Sequence, residues 1–411
     1  MNNILDYADV IDCLHNTPKY SKTGFPIVRV EDVKNAFLNN NECLRVNESI
    51  CDYQNKKYIP KKGDIIITRV GSYGMVAYLN TNDKICLGQN VAIISPKKYG
   101  KFLYYYLQSP YIQKFIHGNS GGSSYKSLSL EMIKKLPVNI DNINPNKVGD
   151  MLFTLDEKID NNKKIIKTIS EMLTRTYEEW FLKFEFPIGN NKTFKSSGGK
   201  MVFNEILNKE IPFDWDIEQL SDIVKKVNNS ISKKDVGNKF YTPIDCIDGH
   251  NISYTRIAPS SDANSSLISY NKKNIIFGSM RCYFHRVAIA PFDGITRTTA
   301  FVFEPINKDN LPYIYQTINL DSTVKYAVST SKGTQQPYAV WENVLENYYI
   351  VKPPQKYKDE FSKAFEKSID EVLILTNENR NLENLKQKLI FHLMNGQVKI
   401  NEWFIKFTRF I

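Results

Sequence analysis

Val148, Leu152, Leu155, Ile159, Asn162, Ile166, Ile169, Leu173, Thr176 and Trp180 follow one another at steps of four and three. That 3.5-residue period marks a coiled-coil seam and is narrower than the apolar stripe of an ordinary globular helix. It predicts a helix over about 146–184, roughly 58 Å long at about 1.5 Å per residue. A helix with so narrow a seam needs a partner helix. Phe361, Phe365, Ile369, Val372, Leu375, Asn379, Leu382, Leu389 and Leu393 repeat the pattern less regularly near the far end of the chain. Each seam holds one asparagine, Asn162 and Asn379. A polar seam residue weakens packing but fixes register and partner choice. The plainer alternative is two separate amphipathic helices, each packed on its own globular domain.

Between and before these helices the pattern changes to short apolar runs broken by turn residues. Ile65 to Thr68 and Met75 to Leu79 read as strands joined across Gly71-Ser72-Tyr73-Gly74, with a further strand at Val91 to Ser95. Phe102 to Ile116 reads as a tyrosine-rich helix bent near Pro110, followed by a Gly/Ser loop at 120–124 and an apolar run ending at Pro137. Residues 212–354 repeat this order at an offset of about 211 residues, a long-period duplication rather than a solenoid. Ile275 to Phe277 matches Ile65 to Ile67, Gly278 to Arg286 takes the place of the first turn, and Leu311 to Val328 is again helical. Ser331 to Gln336 replaces the Gly/Ser loop. The expected organisation is a mixed α/β fold with globular domains at 1–145 and 212–354. Helices lie at 146–185 and 355–397, a flexible Gly-, Asn- and Lys-rich linker at 186–211 and a tail at 398–411.

An apolar content of 42% is enough for packed cores. The net charge of +10 lies mostly in residues 1–145, which carry +6, whereas residues 212–354 carry +1. A basic surplus favours a polyanionic partner in the first domain, and in the second any nucleic-acid surface must be a local patch. The six cysteines are scattered, none in a Cys-x2-Cys pair, which argues against a zinc knuckle and for a reducing compartment. The acidic amino-terminus lacks the apolar core of a signal peptide, and no apolar run approaches a membrane span. The expectation is a soluble, cytoplasmic protein with no membrane contact.

Enzymatic constellations are missing. The stretch 121–127 lacks the spacing of a phosphate loop, the five histidines have no metal-ligand spacing, and there is no nucleophile elbow. The sequence therefore points to binding, with no catalytic residue, metal or bound cofactor expected. Arg on guanine, or Gln or Asn on adenine, reads DNA in the major groove, while Lys, Ser, Thr and backbone amides hold phosphates. The candidates in the first domain are Arg69, Ser72 and Tyr73 in the turn, and Ser123, Tyr125 and Lys126 in the Gly/Ser loop. In the second they are Arg281, Tyr283, His285 and Arg286, then Lys332, Thr334, Gln335 and Gln336. For any one tyrosine the competing reading is core packing, and for any one lysine a solvated face. Clustering in both copies favours the loops as sets.

The chain resembles the specificity subunits of Type I restriction-modification systems over nearly its whole length. The resemblance rests on Leu14-His15-Asn16-Thr17-Pro18-Lys19-Tyr20, Gly24 to Ile27, Lys62 to Gly71, and Leu128-Ser129 with Leu136-Pro137. It continues through Leu155-Asp156-Glu157-Lys158-Ile159, Glu179-Trp180-Phe181, Ile211-Pro212 to Trp215, and Leu389 to Gly396. It implies that each globular domain is a target recognition domain reading one half of a bipartite double-stranded DNA sequence. It adds His15, Lys19 and Tyr20 to the DNA-binding set. It implies that the helices pair antiparallel, set the unread gap, and hold two modification subunits that methylate adenine N6 with S-adenosylmethionine. A restriction subunit is an optional further partner. The specificity subunit itself would catalyse nothing. The rival readings are a self-contained endonuclease, marked by metal-dependent cleavage by the chain alone, and a coiled-coil scaffold, marked by absence of DNA binding. After Gly396 the tail, with Trp403, Phe404, Phe407 and Phe410, echoes Trp180 to Phe186 and so reads as the start of a further repeat or as simple core packing.

Overall fold

The computed structural model describes residues 2–118, 127–141, 143–264 and 266–394. It falls into two compact units, Met1–Asp160 with Leu382–Ile411, and Asn161–Asn381. In the first unit, four antiparallel strands lie in the order Ala8–Asp12, Val91–Pro96, Ile65–Thr68, Val76–Tyr78. Side chains alternate across a sheet, so the continuous apolar run at Ile65–Thr68 requires both faces to be covered. Ile65 and Ile67 pack with Phe102, Tyr104, Tyr106 and Ile112 from helices Gly100–Leu107 and Pro110–Gly118. Ile66 and Ile93 face the other way, among Val28, Leu79 and Leu87.

The second unit has a sheet of the same order: Val224–Lys226, Ala300–Pro305, Ile275–Gly278, Val287–Ile289. Ile65 lies opposite Ile94 and Tyr78, and Ile275 lies opposite Phe303 and Ile289. Ile275 and Phe277 face helix Leu311–Asn319, while Ile276 sits in a separate cluster with Ala288 and Val302. Helices Leu311–Asn319 and Asp321–Ser329 stand where the first unit has its pair, broken as expected at the first copy's Pro110. The mixed α/β class and the repeated strand order therefore agree with the pattern of the sequence.

The two long helices are Pro145–Tyr177 and Gln355–Leu393. Proline opens the first, at a position where its missing N–H costs nothing. Within the second unit, Asn162 Nδ2 donates to Asn379 Oδ1 at 2.9 Å and to Glu378 Oε2 at 2.7 Å. Further along, the Tyr177 ring lies 5.8 Å from that of Phe361. One helix therefore rises as the other descends, which makes the pair antiparallel. Within the first unit, Val148 and Leu152 share a core with Leu389 and Leu393. There Lys386 Nζ reaches Asp156 Oδ1 at 2.6 Å, and the buried Tyr105 hydroxyl donates to Asp156 Oδ2 at 2.8 Å.

Two expectations change. The seam was expected to continue through Thr176 and Trp180, but Leu173, Tyr177 and Phe181 are the buried positions. A straight helix drifts about 20° per heptad against a strict seven-residue repeat, and here the globular core sets which face is covered. The helix then ends in a wider turn at Glu178–Leu182, closed by Lys183 N–H on the Glu178 carbonyl at 2.9 Å. The stretch 186–211, expected to be a flexible linker, carries two hairpins, Pro187–Gly189 with Lys192–Thr193 and Met201–Asn204 with Lys209–Pro212. Phe186 stacks on Phe194 and Trp215, at 4.7 and 4.9 Å between ring centroids, and this aromatic anchor orders a stretch of loop-like composition.

Candidate nucleic-acid interface

The second unit exposes six of its eight expected residues. The turn after strand Ile275–Gly278 is stitched to the loop at 331–338. Arg281 N–H donates to the Pro337 carbonyl at 2.7 Å, Ala339 N–H to Ser279 O at 2.8 Å, and Met280 pairs with Tyr338 as an isolated bridge. Arg281 and His285 both adopt left-handed backbone, φ +51° each, so the chain doubles back over three residues between them. This turn exposes Arg281, Tyr283 and Phe284, and beside it Lys332, Thr334, Gln335 and Gln336 are all exposed. Two loops far apart in sequence thus present one surface of cations, amides and aromatic rings.

His285 and Arg286 have other surroundings. His285 is only 6% exposed, its Nε2 lies 2.9 Å from the Asn319 carbonyl oxygen, and its ring stands 4.2 Å from that of His250. Burial, and then the neighbouring His285, push the His250 pKa down. His285 therefore anchors the turn to the helix pair. Arg286 donates to Asp245 at 2.8 Å and lies over the Phe284 ring, which leaves its guanidinium partly engaged. Phe284 and Tyr338, both more than two-fifths exposed, were not singled out in the sequence; the adjacent Tyr283-Phe284 pair was the available signal.

Gly249 underlies this turn. A Cβ there would stand against the Phe284 carbonyl oxygen, a backbone atom that cannot swing aside. Gly249→Val is expected to displace the turn at a cost of about 1–3 kcal/mol. Hydrogen exchange of the Arg281 and His285 amides, now bonded to Pro337 and Cys282, should quicken more than tenfold, roughly the factor that corresponds to 1.4 kcal/mol. Exchange at the wild-type rate would mean that the turn tolerates the side chain.

The first unit is bridged in the same way. Val70 pairs with Ser127, and Leu128 N–H donates to the Arg69 carbonyl at 2.8 Å. Ser72 is exposed at the turn, where its carbonyl accepts from Thr68 Oγ1 at 2.6 Å. Tyr73 is half-buried with its ring edge-on to His117. Ser123, Tyr125 and Lys126 lie outside the described residues. Arg69 does not project freely. Its Nη1 donates to Asp12 Oδ1 at 2.6 Å, its Nε donates to the Leu128 carbonyl, and its side chain is 17% exposed. Asp12 Oδ2 also lies 2.9 Å from His15 Nε2. His15, Lys19 and Tyr20 lie on the same segment and all three are exposed. Asp12, Cys13 and His15 bring three ligand-type atoms within 4.8 Å of one another. Burial raises the Cys13 pKa and Arg69 already neutralises Asp12, so the donor set makes an ion-pair cluster and a poor cation site.

No helix among the described residues is long and apolar enough to cross a membrane. Residues 10–171 match the family model of the Type I restriction modification DNA specificity domain. The chain is 24% identical to the MjaIX specificity subunit of Methanocaldococcus jannaschii over 361 residues, covering 83% of this chain and 79% of that one. It is 20% identical to the HindI specificity subunit of Haemophilus influenzae over 442 residues, covering 88% and 94%. In fold it is similar to the S subunit of a Type I restriction-modification system from M. genitalium, with a TM-score of 0.55 and 15% identity over 95% of each chain. The match to a DNA specificity domain thus covers the first globular region and most of the first long helix, and the likeness in fold extends over the whole chain. Along most of its length the chain is similar to Type I restriction-modification specificity subunits, the family that its sequence resembles.

Proposed function

We propose that this chain is the DNA sequence-specificity subunit of a Type I restriction-modification complex, with recognition as its task and methyl transfer left to a partner. The observation that carries the reading is the recurrence in both units of one strand order whose central turn is bridged to a second loop, at Val70–Ser127 and at Met280–Tyr338. Two such modules in one chain suit a bipartite target, each reading one half. The turns and loops differ in sequence, so the half-sites differ. In the second module Arg281, Gln335 and Gln336 are the base-reading candidates, with Lys332 and Thr334 on phosphates and Tyr283 beside them. In the first, His15, Lys19, Tyr20, Ser72 and Tyr73 face the DNA, and Arg69 orients the turn through Asp12.

The helices at 146–185 and 355–397 set the spacing between half-sites and dock two modification subunits, with Asn162 and Asn379 fixing their register. Those subunits hold S-adenosylmethionine and methylate adenine N6 on a base taken out of the stack. A restriction subunit is a further partner, and the complex works in the cytoplasm. The test is co-expression with the methyltransferase encoded beside this chain, followed by mapping of N6-methyladenine. A split motif with a fixed gap is expected. Exchanging residues 212–354 for those of a relative should change one half of that motif and leave the other intact, and deleting one helical turn from both helices should shorten the gap. Methylation of a continuous motif, or a gap indifferent to the deletion, would overturn the arrangement.

A further inference from the structure

We propose that the second unit carries a pocket for the carboxylate end of an apolar group. The cavity has a volume of about 220 Å³ and is walled by Tyr177, Phe181, Trp215, Tyr313 and Tyr348, with Lys209 in its lining. It is not part of the loop surface described above, and its role does not depend on the DNA reading. Leu182 and Tyr349, 40% and 39% exposed, stand at its edge and leave it open to solvent.

Two of its polar groups lack what they need. Trp215 is 5% exposed, and its indole Nε1 is buried without a hydrogen-bond partner. An indole nitrogen can only donate, so its partner must be an acceptor. Lys209 enters on the hairpin strand Lys209–Pro212, its ammonium 5.8 Å from the centre of the Phe184 ring, and it has no carboxylate partner among the described residues. Burial alone pushes its pKa down. Several of the neighbouring hydroxyls are already engaged. Tyr177 and Thr317 bond each other at 2.9 Å, Thr323 donates to the Thr317 carbonyl at 2.8 Å, and Tyr313 donates to the Val351 carbonyl at 3.3 Å. Unmet demand in this pocket is therefore for an acceptor carrying negative charge. A carboxylate has two oxygens to offer to the ammonium and the indole, and a ring or branched chain behind it would cover the aromatic walls. An aromatic box would otherwise suit an ammonium ligand, but Lys209 repels one. The source is either a small free acid or the carboxyl-terminal residue of a polypeptide.

The test uses the full chain labelled with ¹⁵N in its four tryptophans, the Trp215 indole signal being assigned with Trp215→Phe. The probes are benzoate and the peptide acetyl-Gly-Phe, each against its neutral amide. At least one acid should shift the Trp215 signal saturably below ~10 mM, an affinity normal for so small a ligand. Its amide should bind at least about tenfold more weakly. Lys209→Met should abolish that preference and Lys209→Arg retain it, with circular dichroism unchanged. Affinity should fall as the pH rises through the lowered pKa of Lys209. Tighter binding of the peptide assigns the site to a chain terminus, and tighter binding of benzoate assigns it to a free acid. Equal binding of acid and amide, no saturable shift with either acid, or an acid preference that survives Lys209→Met would overturn the proposal.

Discussion

Lys358→Ala is expected to destabilise the second unit by about 3–5 kcal/mol, because it leaves a carboxylate buried without its counter-charge. Lys358 Nζ lies 2.5 Å from Glu218 Oε1, with the two side chains 8% and 6% exposed. The pair ties the distal helix to strand Asp216–Gln219, which itself pairs with Tyr349–Lys352. The Lys358 ammonium also lies 5.4 Å from the centre of the Tyr313 ring, in the aromatic cluster that closes the central helix. Taking two charges out of water is expensive, so the pair itself adds little net stability, but half of it is worse than none. The double replacement Lys358→Met with Glu218→Leu should therefore recover to within about 1 kcal/mol of the original, or exceed it. Urea denaturation of the single and double variants beside the wild type measures this directly. A single variant within about 1 kcal/mol of the wild type would mean that water reaches Glu218.

The second large effect concerns binding. Arg281→Ala combined with Lys332→Ala should weaken specific DNA binding by the assembled complex about a hundredfold, at 1–3 kcal/mol for a base contact and less for a phosphate. Both side chains are exposed on loops that the Arg281–Pro337 hydrogen bond holds together, and both cations therefore stand at the surface ready to meet an anion. If both meet phosphates, the slope of log affinity against log salt should flatten by about 1.8, at roughly 0.9 for each phosphate no longer neutralised. If Arg281 reads guanine, discrimination at one base of the second half-site should relax while the first half-site is unaffected. Affinity and salt slope both equal to wild type would remove this surface from the interface. Arg69→Ala is a useful contrast. Its guanidinium is held by Asp12 and by the Leu128 carbonyl, so its removal should act through the shape of the first turn.

The two candidate turns illustrate what a sequence pattern conveys about a site. Arg69 and Arg281 follow equivalent strands and read alike as residues. Only the fold separates them, because Asp12 arrives beside Arg69 from a strand 57 positions earlier, while Arg281 is exposed at its turn. His285 looks like a surface ligand in the sequence, and becomes an internal brace once helix Leu311–Asn319 brings Asn319 to it. Partners this distant leave no local period to detect.

By itself the sequence determined the elements whose energetics are local or periodic. The long helices follow from a repeating apolar seam, the central strands from short runs of isoleucine and valine, and the repeated strand order from their recurrence in the same order. The Asn162–Asn379 contact was also foreseeable, since a polar group in an apolar seam must find a polar partner. The tertiary structure alone decided the rest. The two-residue strands of the smaller sheets, such as Cys86–Leu87 and Phe240–Tyr241, exist only through ladders to distant segments. The ordering of 186–211 comes from burial of Phe186 and the stacking of half-buried Phe194 on it, which outweigh the chain entropy favoured by its glycines and asparagines. The pocket around Trp215 and Lys209 likewise draws on residues spread over 177–353, so no stretch of sequence announces it. Its chemistry arises from groups left without partners, and that becomes visible only when every neighbour is in place.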